Sequence, residues 1–149
     1  MSSKHFLNVI AGLLLVLHGA AFAATPLITP EEAALPAAAG ESLTRGISRG
    51  PGVELVSPKT EFGPVTAPFE LKIAFAPRGG NKIDPASVKV VYLKSPFIDL
   101  TPRLQNAITE TGIVLSDADV PAGEHDLKIT VLDTDGRETN SIVRLVVAQ

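Results

Sequence analysis

The stretch "HDLKITVLDTDGRETNSIVRLVV", residues 125–147, decides how the rest of the chain is read. Leu127, Ile129 and Val131 fall on one parity, and Val143, Leu145 and Val147 repeat the pattern beyond the interruption "DTDGRET". Sustained period two marks an extended strand with one buried and one wet face, because successive side chains leave opposite sides of a pleated backbone. Two such strands around Asp-Gly predict an antiparallel hairpin, with Gly136 taking the positive φ that other residues resist. The turn also gathers carboxylates at Asp133, Asp135 and Glu138. Three readings follow: a calcium site, a catalytic carboxylate pair, or a plain turn whose Asp side chains bond nearby backbone amides.

Working outward, five more segments read as strands. In "PFELKIAFAP", Phe69, Leu71, Ile73 and Phe75 share one face while Glu70 and Lys72 share the other. "VELV" at 53–56, "SVKVVYL" with Val88, Val90 and Tyr92 on one parity, "FIDL" and "GIVLS" complete a set of seven. They are separated by turn-rich stretches such as "SPKTEFGP", "PRGGNKIDPA" and "DADVPAG". Short strands with this punctuation predict an all-β fold, a two-sheet antiparallel sandwich of seven strands over residues 53–149. The connection "TPRLQNAITET" departs from the pattern. Thr101 before Pro102, with Leu104 and Ile108 four apart and Gly112 beyond, predicts a short helical turn capped by Thr101 that crosses between the sheets. Being a long connection, it is also a candidate binding loop.

The N-terminus reads as a secretory signal over residues 1–23. Lys4 supplies the positive start, "FLNVIAGLLLVL" is an apolar run too short to span a bilayer comfortably, and Ala21 and Ala23 place small residues at a cleavage site. The expected location is therefore the periplasm or the exterior, with no stable membrane anchor; a lipid anchor at a processed N-terminus needs a cysteine, and the chain has none. Residues 24–52 are rich in Pro, Ala and Gly and are expected to form a flexible, disordered linker or arm. Within it Thr29, Pro30 and Glu32 fit a capping box that Pro36 limits to about one helical turn. Arg45 and Arg49 would be the anchors if the arm docked on a partner.

Charge and residue usage exclude several classes. Lys4 is the one charged residue of the signal, so of the 13 basic residues in the chain 12 remain against 16 acidic ones. A mildly acidic protein with scattered basic residues is a poor nucleic-acid binder. Without cysteine there are no disulfides, and stability has to come from apolar burial. Catalysis lacks its usual parts: no thiol, no serine in a Gly-flanked elbow, no histidine pair at zinc spacing, and paired acids such as Asp117 and Asp119 on an expected loop exposed to water. The reading is that the chain is not an enzyme and carries no cofactor. Calcium needs six to eight oxygens, and Asp133, Asp135, Glu138 and Asn140 lack EF-hand spacing, so these remain weak calcium candidates and the turn reading leads. With no Trp and one Tyr, a polysaccharide platform is not expected.

"PAGEHDLKITVLDTDGRETN" resembles the last hairpin of bacterial immunoglobulin-like domains, through Gly123, His125, Leu127, Ile129, Val131, Asp133 and Gly136. "PGVELVSPKTEFGPVTAPFELKIAFAP" resembles their opening strands, so the likeness covers residues 53–147. It implies an immunoglobulin-like Greek-key sandwich, with His125 packed where the family often has tyrosine. The chain is also similar in size, export and its "DG" to small copper carriers of the copper-resistance C type, which bind Cu(II) through histidines at the processed N-terminus and just after that "DG". Here those places hold Ala24 or Thr25, and Arg137, so the ligands are missing. The expected function is a non-catalytic exported module that meets an unknown protein partner in the envelope, or scaffolds there. Strand addition at "SIVRLVVAQ" offers one route. The alternative is a calcium-stabilised or ligand-binding accessory domain.

Overall fold

The computed structural model describes residues 23–40 and 49–149. The signal expected over 1–23 therefore lies outside the described residues except for Ala23, as does Arg45. Among the described residues no helix is long and apolar enough to cross a membrane.

Each of the seven expected strands is present: β2 (Gly52–Ser57), β3 (Phe69–Ala76), β4 (Ile83–Tyr92), β5 (Ile98–Asp99), β7 (Gly112–Asp119), β8 (Gly123–Asp133) and β9 (Glu138–Val147). Two short strands raise the number to nine, β1 (Thr25–Pro26) and β6 (Ile108–Thr109). One sheet runs β1-β7-β3-β2, with β6 also on β7; the other runs β5-β4-β8-β9. All pairs between strands are antiparallel except β1 with β7, which is parallel. The two sheets enclose one apolar core, to which β3 gives Leu71, Ile73 and Phe75, β4 gives Val88, Val90 and Tyr92, and β7 gives Ile113. The parity read from residues 125–147 holds throughout: Leu127, Ile129 and Val131 of β8 and Val143, Leu145 and Val147 of β9 are all buried.

The described part of the arm, residues 24–40, corrects the expectation of a flexible, disordered linker over 24–52, of which residues 41–48 lie outside the described residues. Leu27 and Ile28 are 0% and 2% exposed and belong to the core. The helical turn α1 (Pro30–Ala33) carries the expected capping box: Thr29 Oγ1 accepts from Glu32 N at 3.3 Å, and Glu32 Oε2 accepts from Thr29 N at 2.9 Å. Arg103 then ties this turn to the crossover, donating to the Glu32 carboxylate at 2.6 and 2.8 Å and to Leu27 O at 2.8 Å. Beyond α1, Ala37 bridges to Lys94, and Ser95 N donates to Pro36 O at 2.9 Å. The segment thus straps one sheet, at β7, to the other, just past β4. Two adjacent aliphatic side chains supply the burial, about 1.5–3 kcal/mol each. Composition misled because Pro, Ala and Gly around them dilute the average that signals order.

The crossover α2 (Thr101–Leu104), with a 3-10 turn at Gln105–Ala107, connects the sheets as expected and buries Leu104. Its cap differs. Thr101 N donates to Asp99 Oδ1 at 2.9 Å, while the Thr101 hydroxyl accepts from Val90 N at 3.0 Å and so serves β4 instead of capping the helix. Gly112 follows, and a Cβ there would lie 2.1 Å from Ile73 O, so only glycine lets β7 approach β3 at that point.

Candidate functional site

The acidic turn resolves into a staple. Asp133 Oδ1 accepts from Asp135 N and Arg137 N, both at 2.9 Å, and Oδ2 accepts from Asn81 Nδ2 at 3.2 Å. Asn81 reaches across from the loop before β4 and also donates to Asp135 Oδ2 at 2.9 Å, where Arg137 Nη2 donates at 3.1 Å. Burial pushes the Asp133 carboxyl up, but the amides of Arg137 and Asp135, the Asn81 side chain and the nearby guanidinium together hold it below the usual carboxylate range. A carboxylate so engaged is an acceptor for its own turn, with little lone-pair capacity for a metal. Gly136 has φ +74°, as the Asp-Gly signal requires.

The structure brings Asp133 and Asp135 together but sets Glu138 apart: it lies on the outer face of the sheet, hydrogen-bonded to Asn140. Asp117 and Asp119 end β7, which leads into the start of β8, whereas the turn follows its far end; β8 separates them by its whole length. Among the described residues no three His, Cys, Asp or Glu side chains are placed to hold a metal ion.

His125 is 2% exposed and uses both ring nitrogens. Nε2 faces Pro121 O at 2.8 Å and Nδ1 faces the Tyr92 hydroxyl at 2.7 Å. A carbonyl only accepts, so Nε2 carries the proton and Nδ1 accepts from the Tyr92 O–H. Burial lowers the His125 pKa and pushes Tyr92 up to about 12. The family likeness placed His125 packed in the fold; its two ring partners are Pro121 O and the Tyr92 hydroxyl. The pair is sealed and its polar atoms are satisfied, which suits packing and leaves no face for a substrate.

Among the described residues, an exposed groove lies on the outer side of the four-stranded sheet, beside its β9 edge. Lys89, Val91, Leu93, Phe97, Lys128, Thr130, Glu138 and Asn140 line a shallow groove of about 300 Å³, with Phe97 57% exposed. Register builds the groove: Val91 pairs with Lys128 and Lys128 with Ile142, while Lys89 pairs with Thr130 and Thr130 with Asn140. Beside it Arg144 forms two bonds to Asp126, at 2.7 and 3.0 Å. Phe97, Lys89 and Val91 carry no signal in the sequence, because the buried parity of β4 hides what the other parity presents.

The edge itself has a definite polarity. Val146 O accepts from Val65 N at 2.9 Å, and Ala148 N donates to Val65 O at 2.7 Å, so the even residues of β9 turn their backbone groups away from β8. The β8–β9 register is unbroken from Leu132–Glu138 to Gly123–Val147, so Asn140, Ile142 and Arg144 share that direction. No described strand pairs with them. The other edges are poorer: β1 and β5 are two residues long, and β2 carries a register shift before Ser57.

Comparison with protein-family models, curated proteins and solved structures gives no match to this chain.

Proposed function

We propose that the chain is a non-catalytic, exported module of immunoglobulin-like Greek-key topology that makes protein–protein contacts in the cell envelope, through the edge of β9 that no described strand pairs with. The observation that supports this reading most is the row of outward backbone groups at Asn140, Ile142 and Arg144, a template for another chain that soluble folds usually cover or blunt. Export rests on the residue pattern of 1–23 and the family likeness on residues 53–147. The sealed His125–Tyr92 pair and the stapled Asp133 weigh against chemistry at the two places where the sequence offers it.

A photo-crosslinking side chain at Asn140, expressed in cells, tests the reading. The expected result is a single envelope protein identified by mass spectrometry, captured by the parent and lost when Ile142→Pro is added. Proline there removes an N–H that faces away from β8, so the hairpin ladder survives. Absence of any specific product would overturn the proposal.

A further inference from the structure

We infer that the β9 edge takes one short extended peptide, paired over residues 140–144, and not the long strand of a folded neighbour or a second copy of this chain. The inference rests on the reading of that edge as a contact surface and specifies what can occupy it. Its limits come from both ends. At the C-terminal end Val65 already pairs with Val147 and uses the outward groups of Val146 and Ala148. At the N-terminal end the Thr139 hydroxyl donates to Pro51 O at 2.7 Å, which brings the chain before β2 against the start of β9.

Between these stops lie three outward residues, a length of roughly 17 Å at strand spacing. A second copy fits badly. Two β9 strands paired about a two-fold axis at Ile142 set Glu138 of the copy opposite Val146, the place Val65 fills, and the same collision recurs at the symmetry-related end. A peptide that stops after five residues meets neither obstacle.

Side-chain preferences follow from the two faces. Residues that the added strand turns inward meet Val53 and Leu55, half-buried apolar side chains on the edge strand of the facing sheet. Those turned outward lie beside Asn140, Ile142 and Arg144, and the guanidinium of Arg144 is already held by Asp126. Recognition is therefore carried by the backbone, with apolar residues favoured at alternate positions and little demand for charge.

The test uses the full chain and a fluorescent peptide of alternating valine and threonine, followed by anisotropy. The control is the same peptide N-methylated at alternate amides, which keeps the side chains and removes the edge hydrogen bonds without altering the protein. Losing several edge hydrogen bonds at once, the control is expected to bind roughly tenfold more weakly or worse. Ile142→Pro, checked by its melting curve, is expected to weaken the plain peptide likewise. Equal binding of the two peptides, or no binding at millimolar concentration, would overturn the inference, and so would a concentration-dependent dimer that Ile142→Pro dissolves. The crosslinking experiment above reads the contact proposal separately: a partner captured equally with and without Ile142→Pro keeps the contact and removes this edge from it.

Discussion

At the scale of single residues, Asp133 and His125, two polar groups that look functional in the sequence, are occupied with holding backbone. Asp133 closes its own turn through two amides and an asparagine from a distant loop, a partnership that spacing along the chain cannot reveal because Asn81 is remote in sequence. Millimolar calcium is accordingly expected to leave the thermal midpoint unchanged, since a ligand that binds only the folded state has to raise it; a rise would mean that the hairpin acids do coordinate the ion. His125 gives a pH prediction. Its folded pKa lies below the ordinary 6.5, so the unfolded chain binds the proton more readily. The stability it contributes is complete above about pH 6.5 and falls as pH drops toward the folded value. Melting curves between neutral and mildly acid pH are expected to show this decline. His125→Phe is expected to remove the slope while costing about 1–3 kcal/mol throughout, because Pro121 O and the Tyr92 hydroxyl lose their partner. A slope unchanged in that variant would mean another group carries it.

At the scale of elements, the strands were legible and the strap was not. Period two survives in β3, β8 and β9 because each has one buried face, and the turns between them carry Gly, Pro or Asp at the positions that need them. β1 and β6 are two residues each, too short to display a period, and Leu27-Ile28 sit in a stretch whose average composition suggests disorder. The capping box was the one local sign that this stretch is built. Leu27→Ala is expected to destabilise the fold by about 2–5 kcal/mol, as for other buried leucines, measured by denaturant unfolding; a change within a few tenths would restore the flexible-arm reading. The Glu32–Arg103 pair adds a second acid-sensitive step. Its hydrogen bond from Arg103 leads in lowering Glu32 to about 2 from 4.5, so its contribution is complete above pH 4.5 and is lost as pH falls through about 2. Arg103→Ala is expected to flatten that limb and cost about 1–2 kcal/mol, since it also frees Leu27 O.

At the scale of the whole molecule, two sheets close one cysteine-free core, a strap joins them on one side, and on the other no described strand pairs with the β9 edge between two natural stops. The candidate site was half legible: the sequence pointed to the final strand as a possible edge, and that strand does end its sheet. Which of its residues face outward, and how far, depends on Val65 crossing from the loop before β3, a contact between parts of the chain that no local pattern encodes. Residue-resolved amide hydrogen exchange tests this arrangement most directly, because protection reports which amides are paired. The amides of Ser141, Val143 and Leu145 are expected to exchange slowly, those of Asn140, Ile142 and Arg144 quickly, and the quick set is expected to slow when the alternating peptide is added. Uniform slow exchange along β9 in the free protein would show the edge already covered and would contradict the account.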